Sequence, residues 1–327
     1  MIKKRIALGL LMASLLSSTS ATIDRPELTA FINDMAAKHD FNSAELTRLF
    51  SQVNLRPDII DAITRPAEAK PWYDYRPIFV TEARIAGGVE FWNQYADILA
   101  RAQAAYGVPP EIIVAIIGVE TRYGKNTGSY RVLDALSTLA FDYPKRSDFF
   151  RDELEQYLLL TREEKLDPLA IKGSYAGAMG MPQFIASSYR NFAVDFDNDG
   201  HRDLLNNLSD VIGSVANYFS AHKWQPDKPV AVSVQVMGDK YLPLINADLK
   251  PEVTLGQLKE QGVNVPGDLA PDQLGTLLEY EGDSGMEYWL GLQNFYVITR
   301  YNRSPLYAMA VYQLSNEIRA RHDAQNQ

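Results

Sequence analysis

The feature of the sequence that most restricts the fold is an apolar run over residues 112–119 that ends directly at Glu120. Pro109 and Pro110 precede the run, and proline suits the first turn of a helix because the N–H that it lacks would have no partner there. The run contains one glycine and no charged residue. We therefore predict a strongly apolar helix that begins near Pro110 and carries a carboxylate close to its end.

Glu120 has the position of a general acid. Gly124 is well placed to terminate the helix, so Glu120 should lie near the C-terminal end, where the helix dipole is negative. This dipole and partial burial both disfavour the ionised carboxylate and raise its pKa, which makes a proton donor available near neutral pH. The alternatives are that Glu120 is an exposed residue of an amphipathic helix, or a buried partner of Arg122 or Arg146.

The composition is that of an ordinary globular protein with room for two or three domains. The 327 residues are 46% apolar and 22% charged. Cysteine is absent, which excludes disulfides, a thiol nucleophile and a thiolate metal site. The net charge of −9 predicts no general attraction to nucleic acid or to an anionic membrane surface.

Residues 1–21 have the pattern of a secretory signal peptide. Lys3, Lys4 and Arg5 precede the apolar run 6–16, which is followed by a small, polar stretch at 17–21. The apolar run is short for a bilayer span, although a membrane anchor is the alternative. No cysteine follows it, so attachment of a lipid to a thiol is not expected. We predict a soluble, exported, periplasmic protein without a stable membrane anchor.

Hydrophobic spacing divides the remaining chain into helical and β-prone parts. Apolar residues recur at helical intervals over 26–55 and again from about 90 to 219, whereas 225–292 contains short β-prone pieces between proline, glycine and asparagine residues. Ser304 and Pro305 then mark the start of a closing helix. The predicted division is a signal peptide at 1–21, an N-terminal helical domain at 22–100 joined by the helix 303–327, a catalytic core at 101–225, a β-containing insertion at 226–292 and a return to the core at 293–302.

The segment Glu-Thr-Arg-Tyr-Gly at 120–124 resembles the Glu-Thr/Ser-x-aromatic-Gly signature of lytic transglycosylases and goose-type lysozymes. The similarity extends well beyond this motif and is specifically to the membrane-bound lytic murein transglycosylase B family. The matching segments are 71–76, 114–124, 133–146, 172–189, 195–219 and 294–314. The resemblance implies a mainly α (α+β) fold, with a lysozyme-like helical catalytic core, an accessory helical domain and a small inserted β domain.

The resemblance also implies the site residues. It places the catalytic role on Glu120 and assigns the following residues to the sugar-binding cleft: Tyr75, Ser174, Gln183, Tyr218, Tyr301, Asn302 and Tyr307. Paired arginines of the family correspond here to Lys145 and Arg146, and a lysine cannot reproduce bidentate recognition. The lipid-attached cysteine of the family is missing, so we do not carry over its membrane attachment.

Residue types alone give weaker support to the cleft. Glycines at 173, 177 and 180 allow the backbone of 172–183 to approach a ligand closely, although small residues also serve helix packing. The tyrosines combine an apolar face with a polar tip that suits sugar rings, but aromatic residues at helical spacing usually belong to the core. Residues 120–151 contain six basic and four acidic side chains, a local excess of positive charge. These basic side chains either bind carboxylates of the substrate or lie on a solvated helix face.

The segment 195–203, Asp-Phe-Asp-Asn-Asp-Gly-His-Arg-Asp, matches the beginning of an EF-hand calcium loop. Its twelfth position is Asn206 rather than glutamate. The family resemblance implies a longer loop, 195–210, closed by an acid. The expected ligands of a structural Ca²⁺ are Asp195, Asp197, Asp199, the backbone carbonyl of His201, and Asp210. The alternative is an Asx-rich turn without metal.

Glu120 is the only carboxylate in the sequence that lies in a catalytic signature, whereas most glycosidases use two catalytic carboxylates. The resemblance implies a peptidoglycan lytic transglycosylase that cleaves the β-1,4 bond between N-acetylmuramic acid and N-acetylglucosamine. Glu120 would act first as acid and then as base, and the product would end in 1,6-anhydromuramic acid. The alternatives are a hydrolytic muramidase on the same scaffold and a non-catalytic peptidoglycan-binding protein. The expected partner is the glycan strand, and no cofactor is expected for catalysis.

Overall fold

The computed structural model describes residues 25–65, 70–245 and 248–326, so the predicted signal peptide lies outside the described residues. The first helices are α1 (Pro26–His39), α2 (Ser43–Phe50), α3 (Pro57–Thr64), α4 (Trp72–Phe79), α5 (Glu82–Gln94), α6 (Ala96–Tyr106) and α7 (Pro110–Thr121). The later helices are α8 (Val132–Asp142), α9 (Ser147–Glu163), α10 (Ala186–Phe192), α11 (Leu208–Ala221), α12 (Leu255–Glu260), α13 (Gln293–Tyr301) and α14 (Pro305–Gln325). The strands are β1 (Tyr130–Arg131), β2 (Lys172–Gly173), β3 (Ala231–Val234), β4 (Val253–Thr254), β5 (Leu274–Gly282) and β6 (Gly285–Gly291).

Helix α7 is the centre of the molecule. It begins at Pro110 as predicted, and every residue from there to Val119 is buried. Helices α5, α6, α11 and α14 pack around it. A helix that is apolar on all sides has no face to offer to water, so the surrounding helices account for its stability.

The chain turns sharply where α7 ends. Arg122, Tyr123 and Gly124 all have positive φ, at 51°, 61° and 83°. The Tyr123 hydroxyl donates to the backbone carbonyl of Arg84 at 2.7 Å, and its ring lies against Gly118 on the preceding turn of α7. The left-handed cap therefore begins at Arg122, two residues before the glycine that the sequence suggested, and the packing of Tyr123 accounts for this.

Helix α14 begins as the sequence predicted. The Ser304 hydroxyl accepts a hydrogen bond from the Tyr307 N–H at 3.3 Å, and Pro305 occupies the first turn. The helix continues to Gln325, close to the end of the predicted helix 303–327. It contacts α7 and also α4, α5 and α13.

The β-containing insertion has a four-stranded antiparallel sheet in the order β3-β6-β5-β4. One set of its side chains forms a separate apolar cluster that includes Leu255, Leu258 and Leu290. Leu278 and Tyr280 belong instead to the large helical core. The sheet thus has one small core of its own and one face on the helices.

The helical architecture agrees with the predicted mainly α fold. Within the helical stretch predicted from about residue 90, the helix is interrupted at Tyr95, which ends α5 and precedes α6. The large core contains buried residues of every helix except α12, whose Leu255 and Leu258 belong to the small cluster. The domain boundaries near residues 100 and 303 remain predictions.

No single helix in the described part of the chain is long and apolar enough to cross a membrane. Helices α6 and α7 together reach the required length and hydropathy, with a bend of 113° between them.

Gly118→Ala should destabilise the protein although alanine is the better helix former. A Cβ at this position would lie 2.5 Å from the Tyr123 hydroxyl oxygen and 2.7 Å from Cζ. Overpacking of this kind costs about 1–3 kcal/mol in the free energy of unfolding, more than the roughly 1 kcal/mol gained in helix propensity. Chemical denaturation measures the difference. The control is Gly267→Ala, where a Cβ meets no atom within 4 Å, and equal stability of the two variants would contradict the packing described.

Candidate active site

The carboxyl group of Glu120 accepts a hydrogen bond from Tyr307. Tyr307 donates its hydroxyl hydrogen to Glu120 Oε1 at 2.6 Å. The cap formed by Ser304 sets the start of α14, and Tyr307 lies in its first turn. Glu120 is the penultimate residue of α7. The contact therefore joins the end of one core helix to the beginning of another.

Burial raises the pKa of Glu120 to about 7, and the hydrogen bond from Tyr307 lowers it by a smaller amount. The residue keeps some exposed surface, but the carboxyl group is enclosed by protein, so loss of hydration is the larger effect. Neither Arg122 nor Arg146 contributes to this pKa. The alternative that Glu120 is an arginine partner is therefore wrong, and the predicted rise of its pKa is confirmed.

Two further tyrosines lie beside the Glu120–Tyr307 pair. Burial, and to a smaller extent the charge of Glu120, raise the pKa of Tyr301, whose hydroxyl donates to the Pro182 carbonyl at 2.6 Å. Tyr218 packs edge-on against Tyr301 with ring centroids 4.9 Å apart, and its hydroxyl donates to the Arg300 carbonyl at 2.5 Å. Tyr218 is buried, whereas part of Tyr301 is exposed. Both hydroxyls thus hold the backbone, and the rings form an aromatic wall.

The segment carrying Ser174 and Gln183 is a tight loop. The Ser174 hydroxyl accepts hydrogen bonds from the N–H groups of Ala176 and Ala178 at 3.2 and 3.1 Å. Gln183 has φ of 51°, and its Nε2 donates to the carbonyls of Thr127 and Gly180 at 3.1 and 2.8 Å. Neither side chain lies on a helix. The small residues of this loop also pack against a helix, since a Cβ at Gly177 would lie 2.5 Å from Cδ2 of Leu136 on α8.

Tyr75 and Asn302 flank the same region. Burial and the charge of Glu120 raise the pKa of Tyr307 most, and Tyr75 adds a smaller contribution, so the two phenols are neighbours. Tyr75 packs on Trp72 and Phe79, with ring centroids 6.3 and 5.1 Å away. Asn302 is exposed and directly follows Tyr301, at the end of α13.

Lys145 and Arg146 are exposed on a short 3₁₀ turn, Pro144–Arg146. The guanidinium of Arg146 lies over the Phe149 ring, 4.2 Å from its centroid. The structure gives neither residue a contact with Glu120.

Two of the six basic side chains over 120–151 are paired with acidic side chains of the same segment, so the net excess is unchanged but fewer positive charges are free. Arg131 pairs with Asp134 at 2.5 Å, and Arg151 lies 3.8 Å from Asp148. The count treats these residues as free because the sequence does not reveal which charges are paired.

Sequence reasoning missed the residues that hold the end of α7. The Arg84 guanidinium is buried, and its Nε donates to the Gly118 carbonyl at 2.9 Å. The Thr121 hydroxyl donates to the Met181 carbonyl at 3.0 Å and accepts from the Gly124 N–H at 3.1 Å. Thr121 is part of the recognised motif, which was a usable signal. No sequence signal marks Arg84, since its partners are backbone carbonyls.

A second group of side chains converges in the loop 195–210. Carboxylate oxygens of Asp195, Asp197 and Asp210 lie within 4.8 Å of one another. Asp210 is buried in the first turn of α11 and accepts the N–H groups of Phe196 and Asp203 at 2.7 and 2.8 Å. Its pKa is raised by burial, with smaller contributions from Asp197 and Asp195.

The other predicted metal ligands differ in their geometry. The Asp199 carboxylate accepts the His201 N–H at 2.9 Å and lies outside the converging group. Asn206, at the twelfth position, donates to the Asp203 carboxylate. Asp210, not residue 206, therefore brings the closing carboxylate to the loop.

Comparison with known proteins identifies the family. The model of the transglycosylase SLT domain matches residues 24–316. The chain belongs to this family. It is 45% identical over 305 residues to membrane-bound lytic murein transglycosylase B of Escherichia coli K12, an alignment that covers 90% of this chain and 83% of that protein.

Solved structures of transglycosylase SLT domain relatives are also similar. The soluble lytic transglycosylase SltB1 of Pseudomonas aeruginosa has 53% identity and a TM-score of 0.87, covering 90% of this chain and 99% of that one. Slt35 of Escherichia coli in complex with calcium has 44% identity and a TM-score of 0.85, with coverages of 91% and 94%. SltB3 of Pseudomonas aeruginosa in complex with NAG-anhNAM-pentapeptide has 30% identity and a TM-score of 0.79, with coverages of 90% and 79%. The lysozyme-like fold predicted from the motifs is confirmed.

Glu120→Gln should stabilise this transglycosylase-family protein more at pH 8 than at pH 5. The pKa of the carboxyl is raised from 4.5 to about 7 in the folded state. Ionisation in the fold therefore costs free energy, which appears as the pH rises above about 4.5 and is complete above about 7. Glutamine avoids this cost. Thermal melts at both pH values give the difference in Tm between variant and wild type, which should become more positive at pH 8.

The matched control for this measurement is Glu90→Gln, which also removes one carboxylate but from an exposed position of α5. A Tm difference for Glu120→Gln that does not change with pH would contradict a buried carboxyl with a raised pKa.

Proposed function

We propose that the protein is a peptidoglycan lytic transglycosylase that cleaves the β-1,4 bond between N-acetylmuramic acid and N-acetylglucosamine and leaves a 1,6-anhydromuramic acid end. The observation that carries this proposal is the environment of Glu120. Its pKa of about 7 is set by burial and by Tyr307, and no second carboxylate among the described residues adds its charge. A nucleophilic carboxylate at the roughly 5 Å typical of retaining glycosidases would raise the pKa of the acid further.

Glu120 serves as the acid in the first step. Its proton passes to the glycosidic oxygen as the bond from that oxygen to C1 of the muramic acid breaks, and the glucosamine leaves with a free 4-hydroxyl group. The acetamido oxygen of the same muramic acid supports the positive C1. Tyr307 holds Oε1, so Oε2 is the atom available for proton transfer.

Glu120 serves as the base in the second step. Its carboxylate takes the proton of the muramic 6-hydroxyl while O6 attacks C1 and displaces the acetamido oxygen. The anhydro ring closes, Glu120 is protonated again, and no water is consumed. The attack is intramolecular, so the nucleophile needs no separate binding site.

The remaining predicted cleft residues take supporting roles. Gln183 uses Nε2 for its two backbone contacts, which leaves its Oε1 to accept from a sugar amide or hydroxyl. Tyr75 and Tyr301 offer ring faces, and Ser174 and Asn302 offer polar groups beside them. Tyr218 is buried, so its role is to support Tyr301. Lys145 and Arg146 are suited to the peptide carboxylates of the substrate.

The loop 195–210 is proposed to hold a structural Ca²⁺. Calcium prefers carboxylate and carbonyl oxygens, and the converging Asp195, Asp197 and Asp210 provide them. Asp199 and the carbonyl of His201 complete the proposed set. The relative Slt35 was crystallised in complex with calcium. The ion would offset most of the negative charge of three clustered carboxylates and fix the loop against α11, whereas Glu120 needs no metal to transfer a proton.

Export to the periplasm completes the proposal, since the proposed substrate lies there. The expectation of export rests on the signal-peptide pattern of residues 1–21. A hydrolytic muramidase and a non-catalytic binding protein are the two alternatives that the product distinguishes.

Digestion of purified sacculi in H₂¹⁸O should release muropeptides that end in 1,6-anhydro-N-acetylmuramic acid. Each should be one water lighter than the lysozyme product, resistant to borohydride and free of ¹⁸O by mass spectrometry. Glu120→Gln should lose turnover by about 10²-fold to 10⁴-fold, the usual contribution of a general acid. Reducible ends that carry ¹⁸O would make the protein a hydrolase, and substantial turnover by a folded glutamine variant would remove Glu120 from the mechanism.

Calcium should raise the Tm of the protein, and a chelator should lower it. A metal that binds only the folded state stabilises by about 2.7 kcal/mol at a hundredfold excess over its Kd. The double variant Asp197→Asn, Asp199→Asn should lose this response in differential scanning fluorimetry. Asp268→Asn, an exposed change in the insertion, should retain it. Identical wild-type melts with calcium and with chelator would exclude a calcium site.

A further inference from the structure

A separate cavity of about 280 Å³ lies beside the loop that carries Gln183, and we call it the flank cavity. Thr127 and Gly180 are part of its wall. They are also the two residues whose carbonyls accept the hydrogen bonds from Gln183 Nε2. The flank cavity and the proposed cleft therefore share a structural element.

The wall of the flank cavity combines opposite charges with aliphatic surface. Lys172 and Asp167 line it, and both are exposed. The Asp167 side chain is held in place by the Leu169 N–H at 2.9 Å. Leu166 and Leu205 provide apolar surface. This pattern suits an aliphatic chain that carries both an ammonium and a carboxylate group.

The lining of the flank cavity argues against a sugar subsite. Its lining residues include no aromatic side chain. The proposed sugar cleft around Glu120, in contrast, has tyrosine rings on which a sugar can stack.

We propose that the flank cavity binds the diamino-acid residue of a peptide stem, and this inference rests on the proposed function. Diaminopimelate has a free ammonium and a free carboxylate at the end of an aliphatic chain. Its carboxylate would pair with Lys172, its ammonium with Asp167, and its methylene groups would lie against Leu166 and Leu205. The stem is covalently attached to a muramic acid in the cleft, so its effective concentration at the neighbouring flank cavity is high.

Strand β2 provides the link from the flank cavity to the catalytic loop. Lys172 lies on β2, which leads through Gly173 to Ser174. Gly180 is held against the backbone of Leu204 so closely that a Cβ would lie 2.2 Å from the Leu204 carbonyl oxygen. A stem in the flank cavity thus contacts residues that hold Gln183, and substrate selection is coupled to the sugar-binding loop.

The test compares glycan strands that differ only in their stems. The substrates are strands with diaminopimelate stems, strands with lysine in place of diaminopimelate, and strands freed of peptide by an amidase. Wild type should show a higher kcat/KM for the diaminopimelate strands than for the other two. The double variant Asp167→Asn, Lys172→Gln should reduce this preference by about fivefold to twentyfold, the effect of losing two exposed charge contacts.

Each single variant has its own expected result. Lys172→Gln should remove the discrimination between diaminopimelate and lysine stems, because only the former has the carboxylate. Asp167→Asn should lower the kcat/KM of diaminopimelate and lysine strands relative to peptide-free strands, since both kinds of stem carry the ammonium group. The asparagine side chain still provides an acceptor for the Leu169 N–H. The matched controls are Lys240→Gln and Asp268→Asn, exposed residues of the insertion, and they should retain the wild-type preference.

Binding gives a second readout that does not require turnover. Titration calorimetry with the full chain carrying Glu120→Gln should yield a lower Kd for a disaccharide with a diaminopimelate stem than for the bare disaccharide. Adding Asp167→Asn and Lys172→Gln should remove that difference. If wild type cleaves all three strands with equal kcat/KM and the variants change no ratio, the flank cavity does not bind stems, although the proposed function stands. If the wild type cleaves none of the three kinds of strand, the proposed function is overturned instead.

Discussion

The burial of α7 is the constraint on which the rest of the structure depends. A helix with no polar face must be covered on every side, and here four other helices cover it. Glu120 directly follows the apolar run of α7, one residue before the helix ends at Thr121. Because the surrounding helices exclude water from that end, the carboxyl loses hydration and its pKa rises to about 7. The packing that stabilises the core therefore also keeps a transferable proton on Glu120.

The β-containing insertion supports the other half of the Glu120–Tyr307 pair. The Tyr280 hydroxyl donates to the Pro305 carbonyl at 3.0 Å, and the Tyr312 hydroxyl donates to the Ala231 carbonyl at 2.9 Å. These contacts fix the first turns of α14, where Tyr307 lies. Trp72 packs on Tyr280 with ring centroids 5.3 Å apart and so connects α4, which carries Tyr75, to the same sheet. The insertion thus helps to position the phenol that holds the acid.

Backbone hydrogen bonds join the loops of the site to the core helices. Thr121 binds the Met181 carbonyl, and Tyr301 binds the Pro182 carbonyl. The loop before Gln183 is consequently held from the ends of both α7 and α13. A site held in this way needs little reorganisation during the reaction, which favours the electrostatic and proximity effects of catalysis.

The apolar helix was predictable from the sequence alone, and so were its C-terminal carboxylate, the Ser304 cap and the family, because periodicity, capping and a contiguous motif are local properties. The direction of the Glu120 pKa shift also followed, since an acid that ends an apolar helix must be partly desolvated. Only the tertiary structure decided that Tyr307 is the partner of Glu120, since 187 residues separate them. It also decided that Arg84 holds the Gly118 carbonyl and that Arg131 and Asp134 neutralise each other. Such pairings depend on which distant side chains the packed helices bring together, and no local pattern records this.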